Sequence, residues 1–152
     1  MSLDLTTIIG AVESHALASG YFDSVNGHEP LSPPTSGVTC AVWTEQIGPA
    51  RGGSGLLSTS SRLALFVRLY TPMTQLPADG IDPNMMAALD ALFTAYSGDF
   101  TLGGLVRDVD LLGTFGDPLS GRAGYLNASG TDYRVFTITL PLIVNDLWEQ
   151  VA

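Results

Sequence analysis

Lysine is absent from this chain. Its six basic residues are all arginines, none precedes Arg51, and fifteen acidic residues bring the net charge to −9. Such a field repels phosphate backbones, which excludes tight nucleic-acid binding but lets DNA slide past without sticking. Charge of either sign is scarce: charged residues make up 14%, against roughly 25% in an ordinary soluble domain. A surface so poor in charge has parts to hide against partners, although 17 glycines and 9 prolines also lower the figure. One cysteine, Cys40, excludes an intramolecular disulfide. Its place in the apolar alternation VTCAVW makes it a buried structural thiol rather than a nucleophile. No run approaches the ~20 apolar residues of a membrane span. The opening MSLDLTTIIGAVESHALASG lacks the basic start of a signal peptide, so the expectation is a soluble protein made in the cytoplasm. No internal repeat is visible.

The 152 residues, 45% of them hydrophobic, suit a single domain over 1–152 with a core of ordinary size. Leu5, Ile8, Ile9, Val12, Ala16 and Leu17 recur at helical spacing, and Ser19-Gly20 supplies a stop. The prolines and glycines of Tyr21–Gly37 forbid regular structure over most of that stretch, while Tyr21, Phe22 and Val25 are placed to pin its start to the core. Val38–Ile47 reads as a strand. Gly48–Ser60 reads as a long flexible connection to a second strand, Ser61–Thr71. Those two make a hairpin whose loop far exceeds the usual two to five or so residues. A second helix is predicted from an N-cap at Asp82, with Pro83 in its first turn, a stripe of Met85, Leu89, Leu92, Phe93 and Tyr96, and Gly98 at its end. Leu105–Gly113 reads as a third strand, its Arg107, Asp108 and Asp110 suggesting a sheet edge. Thr114–Gly124 reads as a loop. A hairpin turning at Asn127–Gly130 closes the chain, its long second arm placing Arg134, Phe136, Ile138, Leu140, Leu142 and Val144 on one face. Pro141 limits pairing on one side of that arm, and the tail ends in an amphipathic scrap around Leu147 and Trp148. The order predicts an α+β fold: a mostly antiparallel sheet with two helices packed on one face and a long hairpin loop.

The stretch SRLALFVRLYT carries the functional question. As a strand it sends Leu63, Leu65, Val67 and Leu69 to a core face and Arg62, Ala64, Phe66, Arg68 and Tyr70 to the other. Arginine alternating with aromatics is an interface composition, because those side chains combine area with directional bonding. The plainer reading is an outer face with two solvated arginines. Within Gly48–Ser60, Arg51 and the adjacent Leu56 and Leu57 are candidate anchors on a neighbour. The rival reading is that the leucines begin the second strand early. The catalytic inventory is thin. His15 reads as a surface histidine. His28 near Glu29 and Asp23 lacks further ligands for a metal or acid–base site. GGSG at Gly52–Gly55 lacks the GK[ST] of a phosphate cradle, and Asp108 with Asp110 reads as a solvated edge. Asn127-Ala128-Ser129 matches a glycosylation sequon but lies in a hairpin turn, in a chain without a secretion signal. No catalytic residue, cofactor or metal is expected.

Six phrases, ALASGYFDSVNGHEP, VRLYT, IDPNMMAALDALFTAYSGDFTLGG, VRDVDLLG, GYLN and YRVFTITLPLIVNDLW, resemble the tail-terminator family. These are small virion proteins encoded among the head-tail joining genes of long-tailed phages of actinobacteria. The resemblance spans most of the chain, from His15 to Trp148, and the lysine-free, Ala/Gly/Leu-rich usage fits such a GC-rich host. It implies a small α+β fold that assembles as a homo-oligomeric ring, typically of six subunits, in the neck of the virion. The ring would cap the tail tube of major tail protein, end its polymerisation, and offer its other side to the head-completion or connector protein. DNA would pass through the lumen without specific binding. No catalytic residues carry over. Two other readings stay open: another neck protein, such as a head-completion or stopper protein, and a small α+β ligand-binding or enzymatic domain using His28, Glu29 and Asp23.

Overall fold

The computed structural model describes residues 4–22, 24–27, 38–49, 58–73, 80–113, 116–128 and 130–149. Two helices, α1 (Leu5–Ser19) and α2 (Ile81–Gly98), lie against a sheet of six strands. These are β1 (Ser24–Asn26), β2 (Thr39–Pro49), β3 (Ser58–Pro72), β4 (Asp108–Val109), β5 (Ser120–Ala128) and β6 (Thr131–Glu149). The spatial order is β1-β2-β3-β6, with β5 and β4 sharing the far edge of β6. All pairings are antiparallel except β1 with β2. The α+β expectation is met.

Alternation decides which side of the sheet the helices cover. Leu63, Leu65, Val67 and Leu69 of β3, Cys40 and Val42 of β2, and Phe136, Ile138, Leu140 and Leu142 of β6 all point into one core. Ile8, Val12 and Ala16 of α1 and Met85, Leu89, Leu92 and Tyr96 of α2 meet them there. Each leucine fully buried in such a core contributes about 1.5–3 kcal/mol. Leu17, expected in the apolar stripe of α1, is exposed instead; the stripe narrows to the i, i+4 row that faces the sheet. Asp4 caps α1 by accepting from the Thr7 backbone N–H and hydroxyl at 3.2 and 2.7 Å, which holds its carboxyl below the usual range. Gly20 closes the helix at φ 77°.

Several boundaries differ from expectation for identifiable reasons. The N-cap of α2 is Gly80, not Asp82, which sits in the first turn and pairs with Arg134. β1 lies in a stretch read as irregular, where three residues suffice to pair in parallel with Thr39–Ala41. β3 starts at Ser58 because its first residues pair with Trp148 and Glu149 of β6 rather than with β2. That same pairing makes the expected amphipathic scrap at the C-terminal end a strand. β2 ends at Pro49 and β3 begins at Ser58; Arg51, Leu56 and Leu57 between them lie outside the described residues, as do Asp23, His28 and Glu29. The third strand shrinks to Asp108–Val109 because Leu102, Gly103 and Gly104 before it and Gly113 after it have positive φ. Asp110 beside it is 5% exposed, which corrects the solvated-edge reading. Pro141 acts as anticipated. Its carbonyl accepts from the Asp110 N–H at 2.9 Å, and β5 pairing ends at Thr139 where β4 pairing begins at Leu142. In an antiparallel ladder a residue's N–H and C=O address the same neighbour, so the donor that proline lacks falls at this break.

Candidate functional site

The face of the sheet opposite the helices divides into two parts. At one end Tyr70, Tyr133, Val135 and Ala41 form a second, smaller cluster, with Trp43 and Leu126 packed against it. Tyr70 was expected to stand outward with the arginines; it is 2% exposed and belongs to this cluster. The aromatic hydroxyl end and the ring are thus taken up within the protomer, and Arg62, Phe66 and Arg68 remain as the half-buried members of the stripe.

The other end is polar and concave. A recess of about 550 Å³ is lined by Glu45, Phe66, Arg68, Pro118, Arg122 and Thr137, among others. Its floor follows from register. Arg68 of β3 stands beside Thr137 of β6, which stands beside Arg122 of β5, and one row along Trp43, Phe66, Thr139 and Ser120 are aligned in the same way. With strands about 4.8 Å apart, the Arg68 and Arg122 backbones are roughly 10 Å apart across Thr137. Arg68 donates from Nε to Thr137 Oγ1 at 2.9 Å. Its guanidinium lies 5.2 Å from the Trp43 ring centre and 5.9 Å from that of Tyr70, and Trp43 meets Phe66 edge-on at 5.8 Å. Stacked and tethered in this way, the Arg68 head group has few rotamers left to lose on binding. One wall is formed by Asp117 and Pro118. Arg62 donates to the Asp117 carbonyl at 2.9 Å, and a side chain on Gly116 would meet Arg62 Nε at 2.6 Å.

The arginines of the open face differ from the others in their partners. Arg134, on the helix side, holds both oxygens of Asp82 at 2.9 and 3.2 Å, a hydrogen-bonded pairing that raises its pKa further. Arg107 lies 3.7 Å from Asp108. Among the described residues Arg62, Arg68 and Arg122 have no carboxylate partner, and Arg62 Nε is buried without any hydrogen-bond partner. Three of the five described arginines thus stand on one face without an ion pair, although Glu45 and Asp117 line the same recess.

Arg122 was missed in the sequence because SGRAG reads as a loop. The period-two placement of Arg122 and Leu126 was the available signal, and Gly121 and Gly124 obscured it. His15 is not a plain surface residue: Nε2 lies 2.9 Å from Asp99 Oδ2, and its ring meets Tyr96 edge-on at 5.8 Å, joining the two helices. Cys40 is fully buried; burial, with Glu13 nearby, pushes its thiol up to about 12, so it is not a nucleophile at neutral pH. Among the described residues no three His, Cys, Asp or Glu side chains gather as a metal site, and no helix is long and apolar enough to cross a membrane.

No family model matches the chain, and no curated protein matches it. Among solved structures, a chain from the virion of a native gene transfer agent particle aligns over 90% of this chain and 93% of that one. Identity is 12% and the TM-score 0.42. A likeness that slight carries no function.

Proposed function

We propose that this chain is a structural virion protein that works by assembly and not by turnover. It forms a homo-oligomeric ring, a hexamer, in the neck of a phage particle. The ring caps the tail tube, ends its polymerisation and joins the tail to the head connector. The observation that supports assembly is the open sheet face, with Arg68 braced on Trp43 and Tyr70 and with Arg62, Arg68 and Arg122 making no ion pair among the described residues. The resemblance of six sequence phrases to tail terminators supports the particular role. A net charge of −9 suits a lumen through which DNA passes without being held.

The direct experiment adds purified protein to growing tails of major tail protein. Tubes that stop growing and become competent to join heads support the terminator. Binding to the connector with no effect on tube growth makes it a stopper protein instead, and indifference to both removes it from the neck. Arg51, Leu56 and Leu57 are proposed as further anchors on a neighbour. Deleting Arg51–Gly55 together with Leu56→Ser and Leu57→Ser should leave a folded chain whose tails overgrow or fail to join heads. Normal capping by that variant would reduce the segment to a tether.

A further inference from the structure

We propose that the recess on the open face is a docking site for the outer stripe of α2 of a second copy of this chain, centred on Met86 and Asp90. The proposal deepens the assembly reading and needs from it only that copies of the chain meet. Three observations select this occupant. First, the recess offers guanidinium groups that make no ion pair within their own protomer: Arg68 and Arg122 flank Thr137, and although Glu45 and Asp117 also line the recess, neither arginine is paired with a carboxylate among the described residues. Secondly, the helix layer has the opposite character. The sequences of α1 and α2 contain Glu13, Asp82 and Asp90 and no arginine at all. Asp82 is taken by Arg134, whereas Asp90 is exposed and makes no hydrogen bond or ion pair among the described residues. Thirdly, Met86 precedes Asp90 by one helical turn and is 49% exposed, so one helical stripe presents an apolar side chain next to a carboxylate. The recess presents Phe66 next to Arg68. Apolar meets apolar and carboxylate meets guanidinium in a single docking pose, with Thr137, Thr139 and Ser120 on the floor beneath it.

The geometry has a consequence for symmetry. The recess and the outer face of α2 lie on opposite sides of the same sheet. A contact between them is heterologous, head to tail, and leaves each copy with one used and one unused face until a ring closes.

Cross-linking reads this directly, because the native thiol is buried and does not compete. Chains carrying Met86→Cys are mixed with chains carrying Thr139→Cys and oxidised, both as free protein and on tail tubes. The expected product is a mixed disulfide between the two variants. Products joining only like variants, or no product in either setting, overturn the proposal. Charge reversal supplies the second measurement. Arg68→Glu with Arg122→Glu should weaken self-association by roughly tenfold or more, and mixing that variant with Asp90→Arg chains should restore much of it. Unchanged self-association of the folded Arg68→Glu, Arg122→Glu chain also overturns the proposal. If the mixed disulfide forms and tubes are nevertheless not capped, the docking site stands and the terminator role falls.

Discussion

The Arg134 guanidinium lies on the helix side of β6, where it holds both oxygens of Asp82, donates to the Gly124 carbonyl, and covers the Tyr125 ring at 4.5 Å. It therefore ties α2, β5 and β6 at one point. Its side chain is 13% exposed but that of Asp82 is 58% exposed, so water screens much of the Coulomb energy. Arg134→Ala is expected to cost about 1–2 kcal/mol in urea unfolding. Arg134→Lys should recover little, since an ammonium cannot make the forked contact; full recovery by lysine would show that charge alone matters there. Cys40 gives a second test at this scale. Burial keeps its thiol protonated to about pH 12, so alkylation at neutral pH should proceed only as fast as the chain opens and should become rapid in denaturant. Rapid alkylation of the native protein would mean that β2 is not covered by α1.

Between the helices, Asp99 accepts from the Gly103 N–H at 3.0 Å and pairs with His15. The Gly103 hydrogen bond first, and His15 second, hold the Asp99 carboxyl below its usual value. A carboxyl whose pKa falls on folding takes up its proton more readily in the unfolded chain. Its stabilising contribution is full above about pH 4 and is lost as pH falls through the lower folded value. Asp99→Asn should therefore flatten the acid limb of the stability profile; an unchanged acid limb would assign it to other carboxylates. Such contacts were not legible in the sequence, because His15 and Asp99 are 84 residues apart and only the packing of α1 against α2 brings them together. What was legible followed from local periodicity: the Leu63–Leu69 face, the α2 stripe and the β5–β6 turn, whose Gly130 has φ 82°. What was not legible depended on a distant partner. β1 exists because β2 offers it an edge, β3 and β6 lengthen each other beyond their own β-propensity, and Tyr70 is buried because Tyr133 and Val135 come up beside it. The candidate site shows the same division: alternation marked Arg62, Phe66 and Arg68, but Arg122 joined them only through the β5–β6 register.

At the scale of the whole molecule, charge is distributed rather than merely scarce. Fifteen acids outnumber six arginines, both helices lack arginine, and three of the five described arginines share the open face. A chain that bound DNA would do so through that face, because phosphates need a cluster of guanidinium or ammonium groups and none other is available among the described residues. The same face is where a neighbouring copy is proposed to dock, so assembly and DNA binding compete for one set of side chains. Two outcomes follow for DNA titrated against the purified protein at physiological salt. The assembled form should show no retention in a mobility assay, and any weak binding at low salt should belong to the unassembled chain and fade as assembly proceeds. Binding that strengthens on assembly, with a steep loss of affinity as salt rises, would mean that the arginines face the channel together, and the acidic-lumen reading would have to be abandoned.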